Sequence, residues 1–240
     1  MNVKVVARHI GVDFLSLSIV SSIGFANRHI ASDLWNSFQM SIGWKKDASV
    51  NNYLHPSGYE SRIFNYHPAS QHLLLVFTAY QIKNLYDSII FDDGIEFVFH
   101  HIFAGIAAWG AMHPGYAHFY AIFFMGISEI STTILILLSH FDEKFGIVGA
   151  AEAFPVAKVI VAIAFVISFL ICRTILWPYA SYYFVKDAMR AINSNSPKAE
   201  GRRGLLKMAM FSLSGLSVLQ VAWLFQIFIL AKKEIDLMMN

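Results

Sequence analysis

Two short stretches decide the fold, Glu96-Phe-Val-Phe-His-His-Ile-Phe-Ala-Gly105 and Ser128-Glu-Ile-Ser-Thr132. Each places ionisable side chains inside a segment that is otherwise apolar enough to lie within a lipid bilayer. Ionisable groups are costly at that depth, and they usually face the protein interior or a water-filled cavity. His100, His101 and Glu129 are therefore the first candidates for a functional site.

The composition of the chain is that of a membrane protein. Of its 240 residues, 56% are hydrophobic and only 14% are charged, and the mean hydropathy is +0.52. A transmembrane helix needs about 20 apolar residues, so the chain has room for six or seven spans and little for a soluble domain. We therefore predict an all-α fold, a polytopic transmembrane helix bundle of six or seven spans. The net charge of +2 without a basic stripe argues against nucleic acid as a partner.

The predicted spans follow the apolar runs of the chain. The five strongest are 69–92, 95–112, 117–138, 155–177 and 207–231. A sixth is 10–26, and the amphipathic segment 28–44 is a candidate for the seventh. The distribution of Lys and Arg between the two sides of the membrane slightly favours seven spans. We divide the chain into an N-terminal segment with the first membrane helix (1–26), the main membrane domain (27–231) and a short polar tail (232–240).

Four motifs, in their order and spacing, resemble those of the TLC-domain family: Tyr80 with Asn84, the pair His100-His101, Ser128-Glu-Ile-Ser-Thr-Thr133, and Phe169-Leu-Ile-Cys-Arg173. This family contains ceramide synthases, translocon-associated membrane proteins and small TLC-domain proteins linked to membrane phospholipid composition. The chain is most similar to the small members. The resemblance implies membrane lipids as partners, with other subunits of a membrane complex as a further class. It implies the endoplasmic reticulum or an organellar inner membrane as the location.

The chain also departs from the family pattern at several polar positions. Asn84 stands where relatives commonly have an aspartate, and Leu34 stands where a histidine is usual. Thr133, Ile136 and Leu138 occupy positions that the family usually fills with Pro, Asn and Arg. These losses of polar groups weigh against inherited catalysis.

Two interpretations of the buried polar residues follow. Adjacent histidines on a helix point about 100° apart, so at most one of His100 and His101 can face a single pocket. In the catalytic interpretation, a neutral imidazole is the general base, Glu129 orients it, and Arg173 stabilises an acyl oxyanion. In the structural interpretation, the same residues form a buried network that fixes helix register. Further residues are assigned to a lipid-binding or polar network: Tyr80, Lys83, Asn84, Asp87, Ser128 and Ser131.

The sequence leaves three functions open. In the first, the protein binds or handles lipid in a cavity that opens within the bundle. In the second, it is a non-catalytic accessory subunit of a larger membrane complex. The alternative is an acyltransferase of the ceramide-synthase type, with acyl-CoA as substrate. We expect no cofactor and no metal site, and a bound phospholipid is compatible with the first function.

Overall fold

The computed structural model describes residues 11–44, 54–112, 115–142 and 146–239, and every regular element within these ranges is helical. The predicted all-α class is confirmed. The α-helices are α1 (Gly11–Ala26), α2 (Ser32–Ser41), α3 (Tyr59–Phe64), α4 (Pro68–Phe91), α5 (Ile95–Met112), α6 (His118–Ile122), α7 (Glu129–Ser139), α8 (Ala150–Ala153), α9 (Pro155–Phe169), α10 (Trp177–Asn193) and α11 (Arg203–Met239).

Two π-helical turns join pairs of these helices into longer rods. Phe123–Ile127 connects α6 to α7, and Leu170–Leu176 connects α9 to α10. The second rod, Pro155–Asn193, is 39 residues long. It therefore extends beyond the predicted span 155–177, which ended at the aromatic residues near the membrane surface. Wide turns of this kind are frequent at functional sites in helices.

Four helical segments are long and apolar enough to cross a membrane: Ile95–Met112, His118–Ser139, Pro155–Asn193 and Arg203–Lys232. The apolar α1, with 16 residues, and the 24-residue α4 pack into the same bundle. With the four segments above they make up the helical bundle, and these six segments match six of the predicted spans.

The segment 28–44 does not supply a seventh span. A 3₁₀ turn at Arg28–Ala31 separates it from α1, and α2 has only ten residues. Ten helical residues reach about 15 Å, half of the hydrocarbon thickness. Instead, α2 packs against α10, where the Tyr179 hydroxyl donates to Ser37 Oγ at 2.7 Å.

Helix packing is closest where α1 crosses the first π-helical turn. A Cβ atom added to Gly24 would lie 2.6 Å from the Cα of Gly126. Only two glycines permit this approach, which is a common device of membrane helix pairs. The crossing fixes the turn that leads directly into Ser128 and Glu129.

The polar connections gather at one end of the bundle, which we call the basic end and define as residues 54–67 and 186–207. It contains seven positively charged residues: Arg62, Lys186, Arg190, Lys198, Arg202, Arg203 and Lys207. α5 and α9–α10 run toward this end, while α4, α6–α7 and α11 run away from it. Since these helices lie side by side, residues near their midpoints meet deep inside the bundle.

Candidate functional site

A buried ion pair lies at the centre of the site. Arg173 Nη2 donates to Glu129 Oε1 at 2.7 Å, and the two side chains are each only 5% exposed. The guanidinium also donates to Thr132 Oγ1 at 2.9 Å and to Ser131 Oγ at 3.3 Å. Glu129 follows the first π-helical turn by two residues, and Arg173 lies within the second.

A cavity of about 50 Å³ lies beside this ion pair. Its wall is mainly apolar, with alanines of α5, aromatic rings of α6 and α10, and leucines of α11. Its polar lining comes from Glu129, Arg173, His100, Tyr116 and Tyr120. The cavity therefore has an ion pair of zero net charge on one side and an apolar wall that suits a hydrocarbon chain on the other.

The two histidines have different surroundings, as their adjacent helix positions predict. His100 lines the cavity, and among the described residues its Nδ1 has no hydrogen-bond partner. His101 faces α4, where its Nδ1 lies 2.7 Å from Gln81 Oε1. Since that carbonyl oxygen only accepts, His101 holds its proton at Nδ1. The structure thus brings His100, Glu129 and Arg173 to one cavity and places His101 in a contact between helices.

The lysine of α4 forms a second buried cluster with α1. Lys83 Nζ lies 2.8 Å from Asp87 and 2.5 Å from Asp13, and it donates to Asn84 at 2.9 Å. Lys83 and Asp87 lie four residues apart on the same face of α4, where their side chains form an ion pair. Tyr80 is buried on the same helix, 7% exposed. None of these residues lines the cavity described above.

The hydroxyl groups of the Glu-Ile-Ser motif form hydrogen bonds within their own helix and across to α1. Ser128 donates to the Phe124 carbonyl at 2.6 Å, and Ser131 donates to the Ser128 carbonyl at 2.9 Å. Thr133 lies 3.0 Å from Ser21 of α1 through their hydroxyl oxygens. These bonds secure the backbone that carries Glu129.

A third polar cluster, at the basic end, was missed in the sequence. Asp187, fully buried, accepts from Arg62 Nε at 2.6 Å and Nη2 at 2.9 Å, and from the Tyr120 hydroxyl at 2.7 Å. Arg62 is itself buried, 5% exposed. Burial lowers the pKa of its guanidinium, but the hydrogen bonds and the negative charge of Asp187 outweigh that effect, so the pKa is raised. Tyr120 also lines the cavity, so this cluster closes its other end.

Among the residues that the structure describes, no three His, Cys, Asp or Glu side chains are grouped so that they could hold an ion.

The fold and the cavity together define an integral membrane protein of the helical-bundle class. The chain belongs to the TLC-domain family, since the family model described as the TLC domain matches residues 12–229. This assignment confirms the resemblance carried by the four motifs. Comparisons with curated proteins and with solved structures gave no significant match. The protein is therefore an integral membrane protein of a lipid-handling family.

Proposed function

We propose that this protein binds a membrane lipid without transforming it, holding part of one lipid chain in the cavity beside Glu129 and Arg173. The observation that carries the proposal is the cavity itself, in which an apolar wall meets a buried polar group inside a membrane bundle. Ligand sites typically combine such a wall with a few polar groups that fix orientation.

The shape of the cavity supports one chain rather than a whole phospholipid. Its volume of about 50 Å³ would hold only a few water molecules, at roughly 10–15 Å³ each. On α5 the wall is built from small residues, Ala104, Ala107 and Ala111, which leave a groove along that helix. Aromatic rings on the opposite side, including Phe124 and Trp177, supply a broad apolar surface for methylene groups.

The hydrogen bonds favour binding over acyl transfer. A catalytic histidine works with a group that orients it, within hydrogen-bond reach. Here Glu129 bonds to Arg173, and His101 bonds to Gln81. His100 Nδ1 has no partner among the described residues, so neither histidine is oriented by the carboxylate.

Filling the groove tests the proposal. Ala107→Phe places a ring in the cavity, whereas Ile106→Phe changes the neighbouring residue, whose side chain is 37% exposed and directed away from the core. Native mass spectrometry after purification in mild detergent should show a lipid adduct on the wild type and on Ile106→Phe, and a strong loss on Ala107→Phe. Equal lipid occupancy in all three proteins would contradict the proposal.

The other two functions have their own tests. Acyl-CoA-dependent product that disappears in both His100→Ala and His101→Ala would establish the acyltransferase alternative. Co-purification with a stoichiometric set of other subunits would support the accessory-subunit alternative, which stays a prediction.

A further inference from the structure

A buried amide on α11 points to the chemistry of the ligand, an inference that rests on the proposed function. Gln220 is 5% exposed within a membrane-spanning helix. Among the described residues, neither its Oε1 nor its Nε2 has a hydrogen-bond partner. An unpaired amide is costly in such surroundings and calls for an explanation.

Helix packing places Gln220 one helical turn beyond the cavity lining of α11, at the level of the His100 end of the cavity. On α11, Leu216 lines the cavity, and Gln220 follows one turn later on the same helix face. Gly215 packs against Phe103 of α5, so in this antiparallel pair Gln220 comes level with the turn that carries His100. Trp223, three residues further on, lies with its ring centroid 5.1 Å from that of His100.

Packing against the α9–α10 rod independently places Gln220 at the same depth in the bundle. Trp177 Nε1 donates to Ser217 Oγ at 3.1 Å. Because the two helices are antiparallel, the helical turn that precedes Trp177 lies beside the turn that follows Ser217. The first of these turns carries Arg173, and the second carries Gln220. The amide and the guanidinium therefore approach the same end of the cavity.

Several hydrogen-bonding groups at this end of the cavity have unused donor or acceptor capacity. Gln220 offers one acceptor and one donor, and His100 offers Nδ1. The described hydrogen bonds of the Arg173 guanidinium use Nε and Nη2, which leaves Nη1 as a further donor. Its charge is already balanced by Glu129.

From these observations we infer that Gln220 and His100 bind the uncharged polar group of the lipid and that this group carries a hydroxyl. A hydroxyl both donates and accepts, so it satisfies both atoms of the amide. An ester carbonyl only accepts and leaves Oε1 unpaired. A carboxylate adds a second negative charge to a pair that is already neutral, and burying such a charge is costly.

Three probes of equal chain length test this inference: 1-hexadecanol, methyl palmitate and palmitate at alkaline pH. Each is titrated onto the purified full-length protein in one detergent, and occupancy is followed by native mass spectrometry. We expect hexadecanol to bind most tightly and palmitate least. In Gln220→Leu the preference for hexadecanol over methyl palmitate should fall by about tenfold, the worth of one hydrogen bond. Ser214→Ala, at an exposed position of the same helix, should leave the preference unchanged.

A second readout separates recognition from folding. Replacing an unpaired buried amide by an apolar side chain of similar shape removes a desolvation penalty. The melting temperature of lipid-free Gln220→Leu should therefore equal or exceed that of the wild type. A lower melting temperature, or a hexadecanol preference that survives in Gln220→Leu, would overturn the inference. Binding of all three probes without preference would overturn it while leaving the proposed function intact, whereas binding of none would contradict the proposed function.

Discussion

The pairs Glu129–Arg173 and Arg62–Asp187 are buried to nearly the same extent but differ in how fully they are bonded. The side chains of the first pair are each 5% exposed, and those of the second 6% and 0%. Asp187 accepts from Nε and Nη2 of Arg62 and from the Tyr120 hydroxyl, and Arg190 Nη1 lies 3.4 Å from Asp187 Oδ1. Arg62 also donates to the His55 carbonyl at 3.1 Å.

The Glu129–Arg173 pair, by contrast, faces the cavity, where His100 has an unpaired nitrogen. Burial alone therefore does not distinguish a structural charge pair from a binding site. The two kinds of site are distinguished by the number of hydrogen-bond donors and acceptors that remain unused. The pair at the basic end holds α3, α6 and α10 together, whereas the pair beside the cavity keeps capacity for a ligand.

The largest effect is expected from Asp187→Asn. This substitution leaves Arg62 buried without a counter-charge, which costs about 3–5 kcal/mol of stability. Thermal unfolding in detergent measures it. Arg190→Met is the matched control, because Arg190 is 34% exposed and its contact is long, and it should cost less than about 1 kcal/mol. Similar losses in the two variants would contradict the structural role assigned to Asp187.

Glu129→Gln should cost less stability and change binding more. Arg173 keeps its bonds to Ser131 and Thr132 and adjoins a cavity that can admit water. We expect a loss of about 1–3 kcal/mol. Since the guanidinium charge is then unbalanced, the affinity for palmitate should rise relative to hexadecanol, by about tenfold. An unchanged ratio of palmitate affinity to hexadecanol affinity would show that Arg173 does not face the ligand.

The substitution Gly24→Ala changes no charged residue, and it tests whether the crossing of α1 with the first π-helical turn positions Glu129. The added Cβ would lie 2.6 Å from backbone atoms of Gly126, and such overpacking costs about 1–3 kcal/mol. Gly204→Ala is the control, because a Cβ there meets nothing within 4 Å. Thermal unfolding should show a loss only in the first variant, and lipid occupancy should fall with it.

The smallest effect concerns pH at the basic end. The pKa of His67 is lowered, first by burial and then by the electrostatic effect of nearby His29. Since the folded state disfavours protonation, stability is complete above the unfolded value of about 6.5 and declines as pH falls below it. His67→Gln should remove this part of the acid sensitivity. His72→Gln, at an exposed position of α4, should not. Unfolding curves at pH 7.5 and 5.5 measure the difference.

Much of the fold could be predicted from the sequence, because apolar runs of about 20 residues identify membrane helices. The segment 28–44 was the exception. Its helix, which contains Asp33 and Asn36, has only ten residues and lies against the side of α10. Hydropathy cannot reveal such a contact between distant parts of the chain.

The candidate site was only partly visible in the sequence. Glu129 and Arg173 are conspicuous because they interrupt apolar segments. Arg62 and Asp187 lie in polar surroundings where a charge resembles a solvated surface residue, and their pairing joins positions 125 residues apart. Gln220 is uncharged, and nothing in its neighbourhood shows that both of its polar atoms are buried and unpaired.

The most direct test of the account is an experimental structure of the protein in a lipid nanodisc at a resolution that shows bound lipid. The account predicts elongated density in the cavity between α5 and α10, with its polar end beside His100, Arg173 and Gln220. A cavity closed by side chains, with lipid density only on the outer surface of the bundle, would contradict it.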